Sequence, residues 1–294
     1  MKLIMTLLVR DEEDVIEDNI CFHLNNGVDH IVVIDNGSID GTTDVLDKYS
    51  KKGILNYRIV KEHTYEQDKW VSSMAEEAID NLGATHLIHC DADEMWFPNN
   101  GSLRETIRDM VGVNYVNVLN YLPPERDEGE GIAAMNLMVV KPLKYPKTLL
   151  KMYSDKFLLY EYAPKVITTR EYRKIGYGNH EIKRGSGGLN EEKIIRNDIF
   201  IHHFPIRSFE HFKCKVINGG TAYEKNPLND PNIGWHWKAW YKIYKAGNLI
   251  DEYNKLCLKG KTDRYLVKGL IKRVSVPKKI RWAKQIRNIK NLIG

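Results

Sequence analysis

The sequence lacks three features that would assign it to a specialised class of protein. Its 294 residues contain only four cysteines, and these show neither a CxxC pair nor the Cys/His spacing of a zinc site. No apolar run approaches the roughly 20 residues that a membrane-spanning helix needs. No glycine-rich fingerprint follows the first predicted strand, which disfavours a dinucleotide-dependent oxidoreductase. The absences together leave a protein without a disulfide framework, a membrane span or a dinucleotide site.

The composition is that of an ordinary soluble globular protein, with 43% hydrophobic residues, 28% charged residues and a net charge of +5. The length fits one large α/β unit with an appendage. The apolar run near the N-terminus meets charge at Arg10 and has no cleavage site, so it predicts a first strand and not a signal peptide. These features predict a cytoplasmic protein with reduced cysteines.

Strand and helix signals alternate through the first hundred residues. Apolar runs predict strands over 3–9, 30–38, 56–62 and 85–93. Helical spacing predicts helices over 11–26, from Thr42 or Thr43 to Gly53, and for about fourteen residues around 70–82. This order predicts an α/β fold, Rossmann-like, with a mostly parallel sheet flanked by helices.

Fewer signals follow residue 98. A capping box begins a helix over 102–110, a strand is predicted over 113–121, and helices are predicted over 208–224 and from 235 onward. The division expected is an α/β domain over 1–224 and a basic helical C-terminal region over 225–294.

Acidic residues follow three of the predicted parallel strands. They stand in Arg10-Asp11-Glu12, in Asp35-Asn36-Gly37-Ser38 and in Asp91-Ala92-Asp93-Glu94. Ligands of open parallel sheets bind at the carboxyl ends of the strands, and carboxylates crowded there need cations or hydrogen-bond donors. Alternation along the chain puts Asp91 and Asp93 on the same side. A hard divalent cation shared with substrate phosphates fits this pattern and indicates a nucleotide diphosphate.

Five segments resemble family 2-type glycosyltransferases of the GT-A fold. They are VRDEED (9–14), VIDNGSIDGT (33–42), HCDADEMWFP (89–98), GYGNHEI (176–182) and HHFPIRSFEHFKCKVINGG (202–220). The DADE-aromatic form is similar to that of a subgroup of bacterial and viral transferases. The resemblance is most specific over about 3–98 and extends to about 220.

The resemblance implies that 1–224 is a GT-A catalytic domain, in which 1–98 would bind a nucleotide and 99–224 an acceptor. It also implies a role for several residues. Arg10, Glu12 and Asp35 would contact the base and ribose of a sugar nucleotide, and the segment from Gln67 to Trp70 would line the same cleft. Asp91 would face the ribose or the metal, and Asp93 would ligate Mn²⁺ or Mg²⁺ at the diphosphate. A late histidine would complete the metal shell; because His202 and His203 point to opposite faces of an extended segment, at most one reaches the metal, and we favour His203.

An inverting transferase also needs a base that deprotonates the acceptor hydroxyl. Glu181 in NHEI and Glu94 beside the acidic motif are the candidates, and Glu181 is favoured because NHEI occupies the acceptor-binding region. His180 is an alternative ligand for acceptor or phosphate. Arg207 and Lys213 are candidates for neutralising the diphosphate. The glycines of 185–188 predict a loop that closes over the acceptor.

The last thirty residues contain no acid, and Pro277 introduces a basic amphipathic helix. Residues 277–294 are predicted either to pack on the core or to contact an anionic membrane surface peripherally. No nucleic-acid-binding fold accompanies the basic stretch, so nucleic acid is not an expected partner.

The function predicted is metal-dependent transfer of a sugar from a nucleotide-sugar donor, a UDP-sugar favoured, to a hydroxyl of a glycan or lipid-linked acceptor. One alternative is a nucleotidyltransferase, although VRDEED supplies no phosphate-gripping loop. The other is a non-catalytic glycan-binding protein that retains the fold.

Overall fold

The computed structural model describes residues 1–61, 66–125, 131–144, 156–183, 193–225, 234–275 and 280. The strands in this part are β1 Leu3–Val9, β2 His30–Asp35, β3 Leu55–Ile59, β4 His86–Asp91, β5 Glu94–Pro98, β6 Val113–Asn120, β7 Leu137–Val139, β8 Lys165–Thr169, β9 Ile194–His203 and β10 Ile271–Arg273. The α-helices are α1 Glu13–Asn25, α2 Thr42–Ser50, α3 Gln67–Asp80, α4 Leu103–Thr106, α5 Phe209–Lys225, α6 Trp235–Lys245, α7 Leu249–Leu256 and α8 Thr262–Val267.

The N-terminal half forms the parallel part of an eight-stranded sheet. Its strands lie in the order β3-β2-β1-β4, and every neighbouring pair among them is parallel. Strand β1 is almost entirely buried, as expected for a strand covered by helices on both faces. Val9 pairs with Asp35 and Leu8 with Asp91. The register therefore brings the carboxyl ends of β1, β2 and β4 to one edge.

The other half of the sheet is mixed and continues in the order β8-β6-β9-β5. Strand β8 is antiparallel to β4 and β6, β9 is parallel to β6, and β5 is antiparallel to β9. The β5–β9 register pairs Glu94 with His203, and the β6–β9 register pairs Asn120 with His203. Three segments distant in sequence thus meet beside the carboxyl end of β4.

The C-terminal helices pack on α5 and on the segments around β7 through a hydrophobic cluster of their own. Phe212 of α5 contacts Trp240 of α6 and Tyr253 of α7, and Val216 of α5 belongs to the same cluster. Strand β10 returns to pair antiparallel with β7. Burial of aromatic side chains, which bring large apolar areas, fixes α6 against α5 beside the sheet edge.

The predicted α/β fold class, with a Rossmann-like half and a helical C-terminal region, is confirmed. The predicted capping box is present at Ser102, but the helix after it has only one turn, Leu103–Thr106. The residues Met95, Trp96 and Phe97 form a strand that sequence reasoning did not predict, and Trp96 is fully buried in the core. The glycines of 185–188 and the tail 277–294, apart from Ile280, lie outside the described residues.

No helix in the described ranges is both long and apolar enough to cross a membrane. All four cysteines lie in these ranges as thiols; Cys21, Cys90 and Cys257 are buried and Cys214 is exposed.

Candidate active site

A cavity of about 640 Å³ opens at the edge where the carboxyl ends of β1, β2 and β4 meet. Its volume lies in the range typical of small-molecule sites, roughly 300–1,000 Å³. Six of the eight predicted site residues are among the described residues that line it: Arg10, Glu12, Trp70, Asp91, Asp93 and His203. Asp35 and Glu181 are not among these lining residues. The structure therefore brings most of the predicted site into one space.

Asp91 ends β4 and is held by a buried lysine. The Nζ of Lys165 lies 2.5 Å from Oδ2 of Asp91 and 2.6 Å from Oε1 of Glu94. The Lys165 side chain is 2% exposed and that of Glu94 is 1% exposed, whereas that of Asp91 is 30% exposed. Gln67 of α3 donates from Nε2 to the other Asp91 oxygen at 3.3 Å. Asp91 is thus fixed from two sides while part of it still faces the cavity.

Burial controls the charge of the Lys165 cluster. Burial raises the pKa of Glu94 to about 8, with the nearby Asp91 and Asp93 adding to the shift against the opposing effect of Lys165. The pKa of Lys165 itself is raised, because the two carboxylates outweigh the effect of its burial. Glu94 is wholly buried, so it supports Lys165 and has no access to a substrate in the cavity.

Asp93 belongs to a second cluster, on the side of the cavity where α5 lies. The Nζ of Lys215 lies 2.6 Å from Oδ2 of Asp93 and 3.1 Å from Oε1 of Glu12. Arg207 binds the other oxygen of Glu12 and also pairs with Asp14. Burial opposes ionisation of Asp93, but Lys215 and other cations outweigh it and lower the pKa of the carboxyl. Asp93 and Glu12 are therefore carboxylates.

His203 faces Asp93 from the end of β9. Its Nδ1 donates to Oδ1 of Asn120 at 2.8 Å, and this bond assigns the lone pair to Nε2. That Nε2 lies 3.7 Å from Oδ1 of Asp93. Burial lowers the pKa of His203 to about 4, so the imidazole is neutral at neutral pH. Two lone-pair donors, one nitrogen and one oxygen, thus face one another at the cavity wall.

His202 points away from Asp93, as alternation along β9 requires. Its Nδ1 shares a hydrogen bond of 2.8 Å with the Tyr121 hydroxyl, and its ring packs against Phe97. His202 is a core residue, and His203 is the histidine that reaches the cavity.

Asp35 and Glu181 are the two predicted residues that are not among the described residues lining the cavity. Asp35 is fully buried and accepts hydrogen bonds from the amide and hydroxyl of Ser38 and from the hydroxyl of Thr43. Its carboxylate shapes the turn after β2, and it is the next residue, Asn36, that lines the cavity. Glu181 is exposed, with its side chain close to the backbone of Gly176.

His180 takes the position on the cavity wall that was expected for Glu181. Its Nδ1 donates to the carbonyl of Pro164 at 3.1 Å, which leaves the lone pair on Nε2. Burial lowers the pKa of His180 to about 4, with the nearby Lys165 adding to the shift. The wall therefore carries a neutral imidazole at this point.

The cations that line the described wall of the cavity are not the two that the sequence suggested for neutralising a diphosphate. Arg207 has a fully buried side chain that is engaged by Glu12 and Asp14, and Lys213 is partly exposed and paired with Glu210. In the part of the chain that the structure describes, the lysines that line the cavity are Lys165 and Lys215. Lys215 shares one helical face with Asn218, Gly219 and Ala222, a spacing that could have identified it from the sequence. Lys165 has no comparable signal.

The donor atoms fit a divalent cation only with help from a substrate. No group of three or more His, Cys, Asp or Glu side chains able to hold a metal occurs in the described ranges. Asp93 and His203 supply two donors of the right kind, and Mg²⁺ or Mn²⁺ commonly completes its shell with phosphate oxygens and water. The pair is thus suited to a metal that arrives with a diphosphate.

Comparisons with known proteins give matches among solved structures alone. No family model matches the sequence, and no curated protein matches it. A crystal structure of S. aureus TarS is similar over 75% of this chain, at 14% identity and a TM-score of 0.42. This chain covers 40% of that TarS chain.

Two further similar structures contain TarS 1–349 with ligands. The complex with UDP is similar over 96% of this chain and 78% of that chain, at 15% identity and a TM-score of 0.39. The complex with UDP-GlcNAc is similar over 100% of this chain and 82% of that chain, at 13% identity and a TM-score of 0.42. Because these identities and TM-scores are low, the similarities assign no substrate to this chain.

Proposed function

We propose that the protein is a glycosyltransferase that moves a sugar from a nucleotide-sugar donor, with a UDP-sugar favoured, to a hydroxyl of an acceptor. The observation that carries the proposal is the meeting of Arg10, Glu12, Asp91, Asp93 and His203 around one cavity at the carboxyl edge of the parallel strands. That edge is where open α/β sheets bind nucleotides.

Charge balance supports a metal ion that accompanies the donor. The charged residues that line the described wall are three cations and three acids: Arg10, Lys165, Lys215, Glu12, Asp91 and Asp93. A diphosphate would add negative charge to a wall that is otherwise balanced, so binding it calls for a further cation. Asp93 and His203 are the residues that would hold Mn²⁺ or Mg²⁺, which when bound stabilises negative charge on the leaving phosphate.

The protein's own groups position and stabilise the donor. Arg10 donates from Nη1 to the backbone carbonyl of Asn36 at 2.8 Å, which fixes its guanidinium at the nucleotide end of the cavity. Lys215, 21% exposed, presents an ammonium group to the space beside Asp93. Fixed charges of this kind lower the barrier when negative charge develops on a leaving group, because they need no reorganisation during the reaction. Trp70 and Gln67 line the same space from α3.

The acceptor hydroxyl must lose its proton during transfer. Glu181 is exposed and does not line the described wall, whereas His180 lines it with a free lone pair on Nε2. We therefore propose His180 as the group that receives the acceptor proton. Residues 1–98 would then bind the donor together with His203 and Lys215, and other residues from 99 onward would provide most of the acceptor side.

Nucleotide binding tests the proposal directly. UDP with Mn²⁺ is expected to raise the melting temperature of the wild type more than UDP or Mn²⁺ alone, because a ligand that binds the folded state stabilises it. Asp93→Asn should abolish the metal-dependent part of the shift and lower the rate of UDP release from a UDP-sugar by about 100-fold. Asp80→Asn, at an exposed acid paired with Arg173, is the matched control and should behave as wild type.

Two results would contradict the glycosyltransferase proposal. If no uridine, guanosine, adenosine or cytidine nucleotide stabilises the wild type with or without Mn²⁺, the glycosyltransferase proposal is wrong. If nucleotides bind but no sugar nucleotide is ever turned over, the protein is a binding protein that retains the fold.

A further inference from the structure

The cavity extends from the carboxylates along one face of α5. Lys215, Asn218, Gly219, Ala222 and Tyr223 all line it, and their spacing of three, four, seven and eight residues places them on a single helical face. Lys215 contacts Asp93, so this face begins at the candidate phosphate position. Gly219 follows one turn later, roughly 6 Å along the axis at about 1.5 Å per residue.

Aromatic rings replace the charged groups at that distance. Phe157, Trp235, His236 and Trp237, hereafter the aromatic wall, line the cavity and are each partly exposed. Phe157 lies 5.8 Å from the ring of Trp235 and 5.5 Å from that of His236, and His236 lies 4.8 Å from Trp237. Trp240 behind them is 5% exposed and belongs to the core. The wall is therefore a supported surface whose front remains open.

Gly219 permits the close approach of this wall to α5. A Cβ atom at Gly219 would lie 3.0 Å from Cγ and Cδ2 of Trp237, which is closer than ordinary contact. The indole thus rests directly on the helix backbone. Ordered aromatic rings lose little conformational freedom when a ligand packs on them, so the wall is preorganised.

The wall combines apolar faces with polar edges. His236 forms no side-chain hydrogen bond with the described part of the chain, and burial lowers the pKa of His236 to about 4, so its neutral ring offers both a donor and an acceptor. Pyranose rings present C–H groups on a face and hydroxyls around the rim. The negative face of an aromatic ring attracts such C–H groups, and the imidazole nitrogens can bond the hydroxyls. An alkyl chain would leave these polar groups without partners.

We propose that the aromatic wall is a subsite for a pyranose ring of the acceptor, which makes the acceptor a glycan and places its sugar beside the donor phosphates. The assignment rests on the proposed function for its role in transfer. The binding of a sugar ring at the wall can nevertheless be measured independently of nucleotide turnover.

The experiment uses the full chain and ligand-observed NMR with methyl glycosides of glucose, galactose and N-acetylglucosamine. Glucitol, which has no ring face, and dodecyl phosphate, which offers an alkyl chain, are the comparison probes. Trp235→Leu should weaken glycoside binding by about ten-fold, the scale of one lost aromatic contact. Trp235→Phe should keep most of the affinity. Tyr244→Leu removes another aromatic ring of α6, outside the described wall of the cavity, and should change nothing.

Three results would overturn the subsite: equal binding by wild type and Trp235→Leu, equal binding of glucitol and the glycosides, or binding of dodecyl phosphate with none of the glycosides. Calorimetry with UDP and Mn²⁺ on the same proteins separates the two proposals. UDP should bind wild type and Trp235→Leu equally. Absence of UDP binding to wild type would contradict the glycosyltransferase proposal and would leave the glycoside result to decide the subsite.

Discussion

Two lysines among the described residues line the cavity, and each bridges two acidic side chains, but they differ in burial and in the elements that carry them. Lys165 begins β8, is 2% exposed and bridges Asp91 at the end of β4 and Glu94 at the start of β5. Lys215 lies on α5, is 21% exposed and bridges Asp93 and Glu12. The antiparallel pairing of Ile88 with Ile167 carries Lys165 to the end of β4, whereas helix packing alone positions Lys215.

This difference in burial assigns the two lysines different roles: one supports neighbouring acidic side chains, and the other can contact a ligand. A charge that is almost fully buried is costly unless it keeps its partner, so Lys165 and Glu94 are expected to remain together whatever occupies the cavity. A partly exposed ammonium loses less when it changes partners, because water and a bound anion can both reach it. Lys165 therefore acts through Asp91, and Lys215 is the lysine that can meet a diphosphate.

The largest effect is expected when the enclosed lysine is removed. Lys165→Met keeps the volume and deletes the charge, which leaves Asp91 and Glu94 without their cation. We expect the free energy of unfolding to fall by about 3 kcal/mol, the scale of a broken buried pair. Urea denaturation at about pH 9 measures it, because Glu94, with a pKa of about 8, is then ionised in the wild type.

A double variant provides the control for this change. Glu94→Gln with Lys165→Met removes both partners of the enclosed pair and should recover more than half of the lost stability, because no buried acid then lacks its cation. If the double variant is no more stable than Lys165→Met, the pair is not coupled and the distinction between the two lysines fails.

Removal of the partly exposed lysine should give a smaller effect of a different kind. Lys215→Met is expected to lower stability by less than Lys165→Met, because water reaches the site of Lys215 and Glu12 keeps Arg207 as a partner. It is also expected to weaken UDP binding by about ten-fold, because the lost ammonium group is the partly exposed one. Calorimetry measures the affinity, and Lys213→Met, two residues away and paired with Glu210, is the matched control. Unchanged or tighter UDP binding by Lys215→Met would contradict its assignment as the contact group.

Much of the parallel half could be predicted from the sequence because its signals are local. Apolar runs of strand length, helices of about fourteen residues and acids at the strand ends identify β1, β2, β4 and the edge on which they meet. The choice of His203 over His202 had no firm basis in the sequence. Alternation along a strand shows that only one of the two faces a given side, but it does not show which one.

The mixed half of the sheet could not be predicted from the sequence, because its contacts depend on the register between strands that are distant in sequence. Lys165 reaches Asp91 across 74 positions through the β4–β8 pairing, and Asn120 orients His203 across 83 positions through β6–β9. A single lysine at the start of a short strand does not indicate which distant strand it will pair with. Trp96 gives the same lesson: the sequence leaves open whether it lines a sugar site or anchors the core, and the β5–β9 pairing buries it in the core.

The smallest effect is expected at Glu181. This residue is exposed and is not among the described residues that line the cavity. Glu181→Gln should change the rate of sugar transfer by less than about two-fold, because an exposed carboxylate away from the acceptor cannot take its proton in the transition state. His180→Asn, one residue earlier, should lower that rate by about 100-fold, within the range typical of general bases, with UDP affinity unchanged. Measured with one donor and acceptor pair, the reverse order of effects would return the role of base to Glu181.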